Sequence, residues 1–398
     1  MEDIVFCRFT TNIYNMYKLL KLVFLSFSIF FATACTEDDP SPQEVPQTAE
    51  KTIFVFMPYS TNLYSCLLDN ITGIKTAIKN NKGLDNTRLV IFIAKNQKQG
   101  ALIDIKYDNE VCKQDTLEKI NSQSYLTTNG RVELLNKVKK YAPAKRYAMI
   151  IGCHGMGWLP SSTVFNTKKS RYFGGIESDY RIDIDDLAES IRAAGMKMQF
   201  ILFDDCYMSS IEVAYELKEA TDYLIASTSE IMDKGMPYHR IYQYLMSAEP
   251  NYEAVCQNFY DYYSKYSSPY GTIGVTDCKY IDDITAMMKH INTTHTFDTN
   301  RLNNVQDLDG DTFTPTIFFD FDDYIRNLCI NDNNTYEQFH TLLQRLVPYK
   351  ATTSYIYSGD KKTKTKVSHF SGITISDPST RAEVEQAKLQ TNWWLQTH

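Results

Sequence analysis

The 398-residue sequence contains no Cys-x-x-Cys pair, no His-Glu-x-x-His run and no Gly-x-Ser-x-Gly elbow. The first absence excludes a zinc ribbon and a thioredoxin-type redox site. The second excludes the helical zinc-hydrolase motif, and the third the nucleophile elbow of esterases and amidases. Charge of one sign never gathers into a block. The 41 basic and 48 acidic residues are interspersed for a net charge of -7, which excludes a basic nucleic-acid footprint. The apolar run Leu22 to Phe31 is too short to span a bilayer comfortably. Internal repeats are missing, and no long linker divides the chain beyond residue 51. What is present is a folding composition: 43% hydrophobic and 13% aromatic, with 28 Tyr and 21 Phe, unlike low-complexity disorder. That length and composition suffice for a large buried core.

The N-terminus reads as a targeting segment. Lys18 and Lys21 precede the apolar run, and Ala32, Thr33, Ala34 and Cys35 follow it. A charged start, a short apolar stretch and a small-residue exit describe a secretory signal. Cys after Ala-Thr-Ala resembles a bacterial lipobox, whose Cys becomes the lipidated first residue. Residues 1–35 are therefore expected to be a signal segment with Cys35 as the lipid site, and Met16 the functional start. The alternatives are a plainly cleaved signal or a retained anchor. Residues 36–50, acidic at Glu37, Asp38 and Asp39 and then rich in Pro, Gln and Thr, read as a flexible tether. Acids directly after such a Cys resemble surface-export signals of outer-membrane lipoproteins. The expected location is thus the bacterial cell envelope, lipid-anchored at the outer membrane and surface-exposed. Of nine cysteines, Cys7 and Cys35 belong to leader and anchor; the seven that remain leave at least one free thiol outside the cytoplasm.

Residues 51–398 are expected to form one domain. Apolar, β-branched runs predict strands at Lys51–Tyr59, Arg88–Ala94, Arg146–Gly152, Met198–Asp204 and Tyr223–Thr228. Helical spacing predicts helices at Leu67–Lys79, Arg131–Tyr141, Ile184–Ala194 and Ile211–Ala220. Near-continuous apolar strands alternating with amphipathic helices indicate an α/β fold, a mostly parallel sheet covered on both faces. Helices at Arg240–Ala248, Tyr252–Tyr266 and Ile281–Ile291 then read as a helical C-terminal extension, with strands at Gly271–Thr276 and Val367–Ile375.

Chemistry in open α/β sheets collects beyond the carboxyl ends of the strands. Two expected strands end there on reactive residues. One exits into Gly152-Cys153-His154-Gly155-Met156-Gly157-Trp158, the other into Phe203-Asp204-Asp205-Cys206-Tyr207-Met208-Ser209-Ser210. The other six His have no ligand-spaced neighbour. A thiol near a helix N-terminus is expected to have a lowered pKa, and an imidazole beside it accepts its proton. The separation of 52 residues matches the spacing of about 50 between His and Cys in caspases, one strand-helix-strand unit. Taken singly, a Cys at a strand end is usually a buried small hydrophobe and a His-Gly a turn; order and spacing together favour chemistry.

These two segments carry a specific resemblance. HGMGW resembles the His-Gly-x-Gly-Trp box of the clostripain family of cysteine peptidases, and FDDCYMSS its Phe-Asp-x-Cys box. Ala226 to Tyr238 and Gly372 to Ile375 resemble its following strand-loop and late strand. The likeness implies a caspase-like fold and cleavage of peptide bonds after Arg or Lys. It makes Cys206 the nucleophile, His154 the general base and acid, Asp204 the acid that binds the basic substrate side chain, and Gly155 an oxyanion-hole donor. Strand alternation points Asp204 and Cys206 to the same side, although Asp204 could instead cap the following helix. Asp205 departs from the family, where a small residue is common; it is expected to face away from Cys206. The resemblance further implies self-processing at Lys168 or Lys169, and calcium as a cofactor, although the sequence itself requires none. Asp307-x-Asp309-Gly310-Asp311 lacks the acids of an EF-hand at its first and twelfth positions. The cluster Asp320, Asp322 and Asp323 reads as a helix start. Expected partners are peptides with Arg or Lys before the cut and the membrane, not nucleic acid. The competing reading is a catalytically silent caspase-like module that binds peptides or a surface partner.

Overall fold

The structure is a computed structural model and describes residues 48–161, 172–266 and 269–398. Cys35, Lys168 and Lys169 lie outside the described residues. The apolar runs form strands β1 (Ala49–Met57), β2 (Thr87–Asn96), β3 (Gln99–Asp108), β4 (Val111–Ile120) and β5 (Ala144–Gly152). Beyond β5 come the short β6 (His154–Gly155), β7 (Phe173–Gly174) and β8 (Arg181–Ile182), then β9 (Met198–Asp204), β10 (Thr221–Ala226) and β11 (Thr272–Asp277). The last strands are β12 (Phe319–Asp320), β13 (Tyr349–Thr352), β14 (Tyr355–Ser358), β15 (Thr363–Lys366) and β16 (Thr374–Ile375).

Nine of these build one sheet in the order β13-β11-β10-β9-β5-β1-β2-β3-β4. Its centre, β10-β9-β5-β1-β2, is parallel. Both flanks are antiparallel. Alternate residues of β1 feed two cores: Ile53, Val55 and Met57 on one face, Phe54 and Phe56 on the other. Each such side chain, removed from water, contributes about 1.5–3 kcal/mol.

Helices cover both faces. They are α1 (Tyr64–Asn80), α2 (Thr128–Tyr141), α3 (Ile184–Ala193), α4 (Ile211–Leu217), α5 (Tyr238–Met246), α6 (Tyr252–Tyr263), α7 (Ile281–Thr294), α8 (Phe321–Leu328), α9 (Asn333–Leu346), α10 (Ala382–Lys388) and α11 (Asn392–Thr397). Helices α1, α5 and α6 pack on the Val55 side, and α2, α3, α4, α7 and α9 on the Phe54 side. The Asp320 carboxylate accepts the Asp323 N–H at 3.0 Å and caps α8, the helix start expected from its acids.

One expectation needs correction. Val367–Ile375 is not one strand: only Thr374–Ile375 pairs, antiparallel to β12. The segment ahead of it sends its N–H groups to side chains instead, Ser368 to Gln306 and Ser371 to Asp320, and Gly372 turns at φ +86. Beside the expected strand near Gly271–Thr276, the helical extension carries β13, which joins the main sheet, and the separate β14–β15 hairpin.

Candidate active site

The ladder between β5 and β9 runs as far as Gly152 opposite Asp204. Two residues beyond the end of each strand come His154, the first residue of β6, and Cys206, in the turn after β9. There they line one cavity of about 440 Å³, together with Asn70, Gly155, Asp204, Glu230, Ile231, Asp233, Gly235, Thr312 and Asp360. Asp205 also borders it, and among the described lining residues no Lys or Arg occurs.

The His154 ring places Nε2 at 2.8 Å from the Asn62 Oδ1. Asn62 lies in the loop after β1. Burial pushes the imidazole below its usual range, and the Glu177 carboxylate opposes this only in part. The ring is therefore neutral at neutral pH.

The Cys206 sulfur receives the Ile231 N–H at 3.3 Å and lies 3.5 Å from the Ile231 carbonyl. Its thiol is pushed up, not down as expected. Burial is the largest cause, then the Glu230 carboxylate, with Asp205 and Asp204 adding to it against the Ile231 N–H. The expected help from a helix dipole is absent because α4 begins only at Ile211. Its cap is Ser210, whose Oγ accepts the Val213 N–H at 3.3 Å. A dipole effect fades beyond the first turn. The same cap excludes Asp204 from the capping role.

Asp204 lies at the buried end of the cavity, 6% exposed. Its Oδ1 accepts the Met236 N–H at 2.7 Å and its Oδ2 the Asn70 amide at 2.9 Å. Burial pushes it up to about 6 despite the Met236 bond. Gly235, at φ +62, leaves the space over this carboxylate open: a Cβ there would stand 2.7 Å from Asp204 Oδ2. Gly155 is likewise obligatory, since a Cβ would meet Cys206 O at 2.8 Å and Cys206 N at 3.0 Å. Its main chain thereby lies against that of Cys206.

Tyr207, directly after the thiol, holds φ +61, a left-handed conformation that is costly for a residue with a side chain. Its ring stacks on Phe318 at 5.1 Å, and its OH lies 3.1 Å from both Glu230 and Thr312. Glu230 also accepts the Gly359 N–H at 2.7 Å, from the tip of the β14–β15 hairpin. Asn62, Asn70, Tyr207 and Glu230 escaped the sequence reading, because their partners come from remote stretches of chain or from the backbone turn itself. Asp205 does turn away from Cys206, as expected: it bonds Cys153.

The calcium-like loop closes on itself. Asp307 accepts the N–H groups of Asp309, Gly310 and Asp311, and Asp309 accepts that of Ile317. Among the described residues no group of three His, Cys, Asp or Glu is placed to hold a metal ion.

A thiol and an imidazole thus line one acid-lined cavity at the carboxyl edge of a mostly parallel sheet. The clostripain family model matches residues 55–375. The structure of a secreted C11 cysteine protease from Bacteroides thetaiotaomicron, "iotapain", is 44% identical, with TM-score 0.83, covering 88% of this chain and all of that one. A clostripain from the same species in complex with the peptide inhibitor BTN-VLTK-AOMK is 50% identical over 57% of this chain and 99% of that chain, with TM-score 0.55. An inactive zymogen C11 protease from Parabacteroides distasonis is 27% identical, with TM-score 0.76, over 89% and 99%. Comparison with curated proteins gives no match. The chain belongs to the clostripain family and is a cysteine peptidase.

Proposed function

We propose that Cys206 and His154 form the catalytic dyad of an endopeptidase that cuts after Lys or Arg. The observation that carries this reading is the cavity that His154 and Cys206 line together, each two residues past the last β5–β9 pair, with Asp204 at its buried end. The cavity's acidic lining favours a cationic side chain, and Asp204, held by Met236, Asn70 and the Tyr238 hydroxyl, sets a carboxyl at its buried end to receive it. The Lys in the inhibitor peptide bound by the Bacteroides thetaiotaomicron clostripain agrees with this preference.

In the resting site both partners are neutral. The His154 Nε2–H donates to Asn62, which leaves Nδ1 as the basic nitrogen. When a peptide enters, Nδ1 takes the Cys206 proton as the sulfur attacks the scissile carbonyl carbon. The carbonyl oxygen becomes an oxyanion held by the Gly155 and Cys206 N–H groups. His154 then returns the proton to the departing amine, leaving a thioester. A water molecule, deprotonated by His154, attacks that thioester and releases the acid and the thiol.

The signal pattern around Lys18, Lys21 and Cys35 supports a lipoprotein of the outer membrane, and the basic Lys168 and Lys169 between the dyad residues support self-cleavage there. No described helix is long and apolar enough to cross a membrane. Anchoring by Cys35 predicts that Cys35→Ala moves the protein from the membrane fraction to the soluble one; unchanged fractionation would refute the anchor. The enzymatic test uses fluorogenic peptides ending in Lys, Arg, Asp or Leu. Wild type is expected to cleave the first two, Cys206→Ala none. Equal turnover of all four would refute the basic pocket.

A further inference from the structure

Strand pairing stops one step short of the chemistry. The last β5–β9 partners are Gly152 and Asp204, whereas the imidazole and the thiol stand two residues further on. We propose that Asp205 is a positioning residue that replaces the missing rung, tying the backbone just before His154 to the backbone just before Cys206 and so fixing the approach of imidazole to thiol. The proposal rests on the dyad reading given above.

Both oxygens of Asp205 go to a single residue. Oδ1 accepts the Cys153 N–H at 2.7 Å, and Oδ2 lies 3.3 Å from the Cys153 sulfur. Cys153 is the residue ahead of the imidazole, and Asp205 the residue ahead of the thiol. On the other side of His154, the Asp205 Cβ packs so closely on Gly155 that a Cβ there would come within 2.5 Å of it. The Asp205 side chain is thus wedged between the two chain neighbours of His154. It is 1% exposed and Cys153 is 4% exposed, so no solvent competes for these bonds. Burial pushes the Cys153 thiol far up, which keeps its proton in place for the bond to Oδ2.

An acid used only to fill space would be poorly chosen, since a buried carboxyl must find partners or be destabilising. Here every hydrogen bond of the group crosses from the thiol's strand to the imidazole's strand. Removing the tie leaves the Cys153 N–H without its acceptor and frees the two strand tips to move apart. A misplacement of about 1 Å between reacting groups lowers turnover by about 100-fold. The cavity end at Asp204 keeps its own partners, Asn70 and Met236, so substrate binding is untouched by the loss.

The experiment compares Asp205→Ala, Asp205→Asn and Cys206→Ala on a fluorogenic peptide ending in Lys, with thermal melts alongside. Asp205→Ala is expected to lose 10- to 100-fold in kcat with KM changed less than about twofold. Asp205→Asn, whose Oδ1 still accepts the Cys153 N–H and whose amide faces the sulfur, is expected to recover most of that loss. Should Asp205→Ala fail to fold, Asp205→Ser, too short to reach across, must show the same kcat loss. Wild-type kcat in the Ala or Ser variant, a loss carried by KM, or an Asn variant as slow as Ala would each overturn the tie. Full activity in Cys206→Ala would instead overturn the dyad itself, so the two failures are told apart.

Discussion

At the scale of single residues, protonation decides the behaviour of the site. Asp204 is pushed up to about 6 by burial, and only its ionised form attracts a substrate cation. Activity on Lys and Arg peptides is therefore expected to fall as pH drops through about 6, mainly through KM, and Asp204→Asn is expected to abolish both the preference and that limb. A pH series of kcat and KM on wild type and variant checks this. Asn62 orients the imidazole through its 2.8 Å contact with Nε2. Asn62→Ala is expected to lower kcat by about 10- to 100-fold, a fraction of what proton transfer contributes. Asn62→Asp sets a carboxylate beside the ring, which raises the imidazole pKa and should move the acid limb of kcat to higher pH. Of these residues, His154, Cys206 and Asp204 were legible in the sequence, because each lies at a strand end within a recognisable string. Asn62 and Asn70 were not: they sit 92 and 134 positions from the atoms they bond, and isolated Asn residues in a loop or a helix carry no mark of such a role.

At the scale of elements, the parallel centre of the sheet and β11 beside it were legible, and the outer strands β3, β4 and β13 were not. Strands β1, β2, β5 and β9 are buried on both faces, so their sequences are near-continuous apolar runs. Strand β4 is an edge with mostly exposed residues such as Lys113, Asp115 and Lys119, and its polar composition reads as loop. The β14–β15 hairpin has the same character in Thr363–Lys366. The opposite error arose at Val367–Ile375, where apolar residues are present but the hydrogen bonds go to Gln306 and Asp320 side chains. The loop between β10 and α5 supplies a further test. Gly235→Ala forces a side chain into a left-handed position, which costs about 1–2 kcal/mol, and sets a methyl group against Asp204. KM for Lys peptides is expected to rise about tenfold or more, since 1.4 kcal/mol is a factor of ten, with little change in kcat. Steady-state kinetics on the purified variant decide it.

At the scale of the whole molecule, buried acids give the fold a pH signature. Asp320 is pushed up to about 6, Asp377 to about 7 and Glu212 to about 8, each chiefly by burial. A carboxyl whose native pKa lies above its unfolded value binds more protons in the native state. Stability is then highest near pH 4 to 5 and is lost as pH rises through about 6 to 8. Lys51, fully buried against the carbonyl ends of α5 and lowered to about 8, acts in the opposite sense above that range: the unfolded chain holds its proton longer, so stability recovers between about 8 and 10.5. Urea denaturation midpoints at pH 5, 8 and 10 are expected to pass through a minimum at the middle value. A monotonic rise from pH 5 to 8 would contradict it.

The Glu230 carboxylate binds Tyr207 beside the thiol and Gly359 near the end of the chain, while Ser209 and Trp158 reach Gly372 and Ser376. Residues far along the chain, Gly359 to Ser376, therefore brace the turn that carries Cys206 and the segment that follows His154, so a cut between residues 230 and 359 that let the two pieces part would loosen the proposed site without touching either reactive side chain.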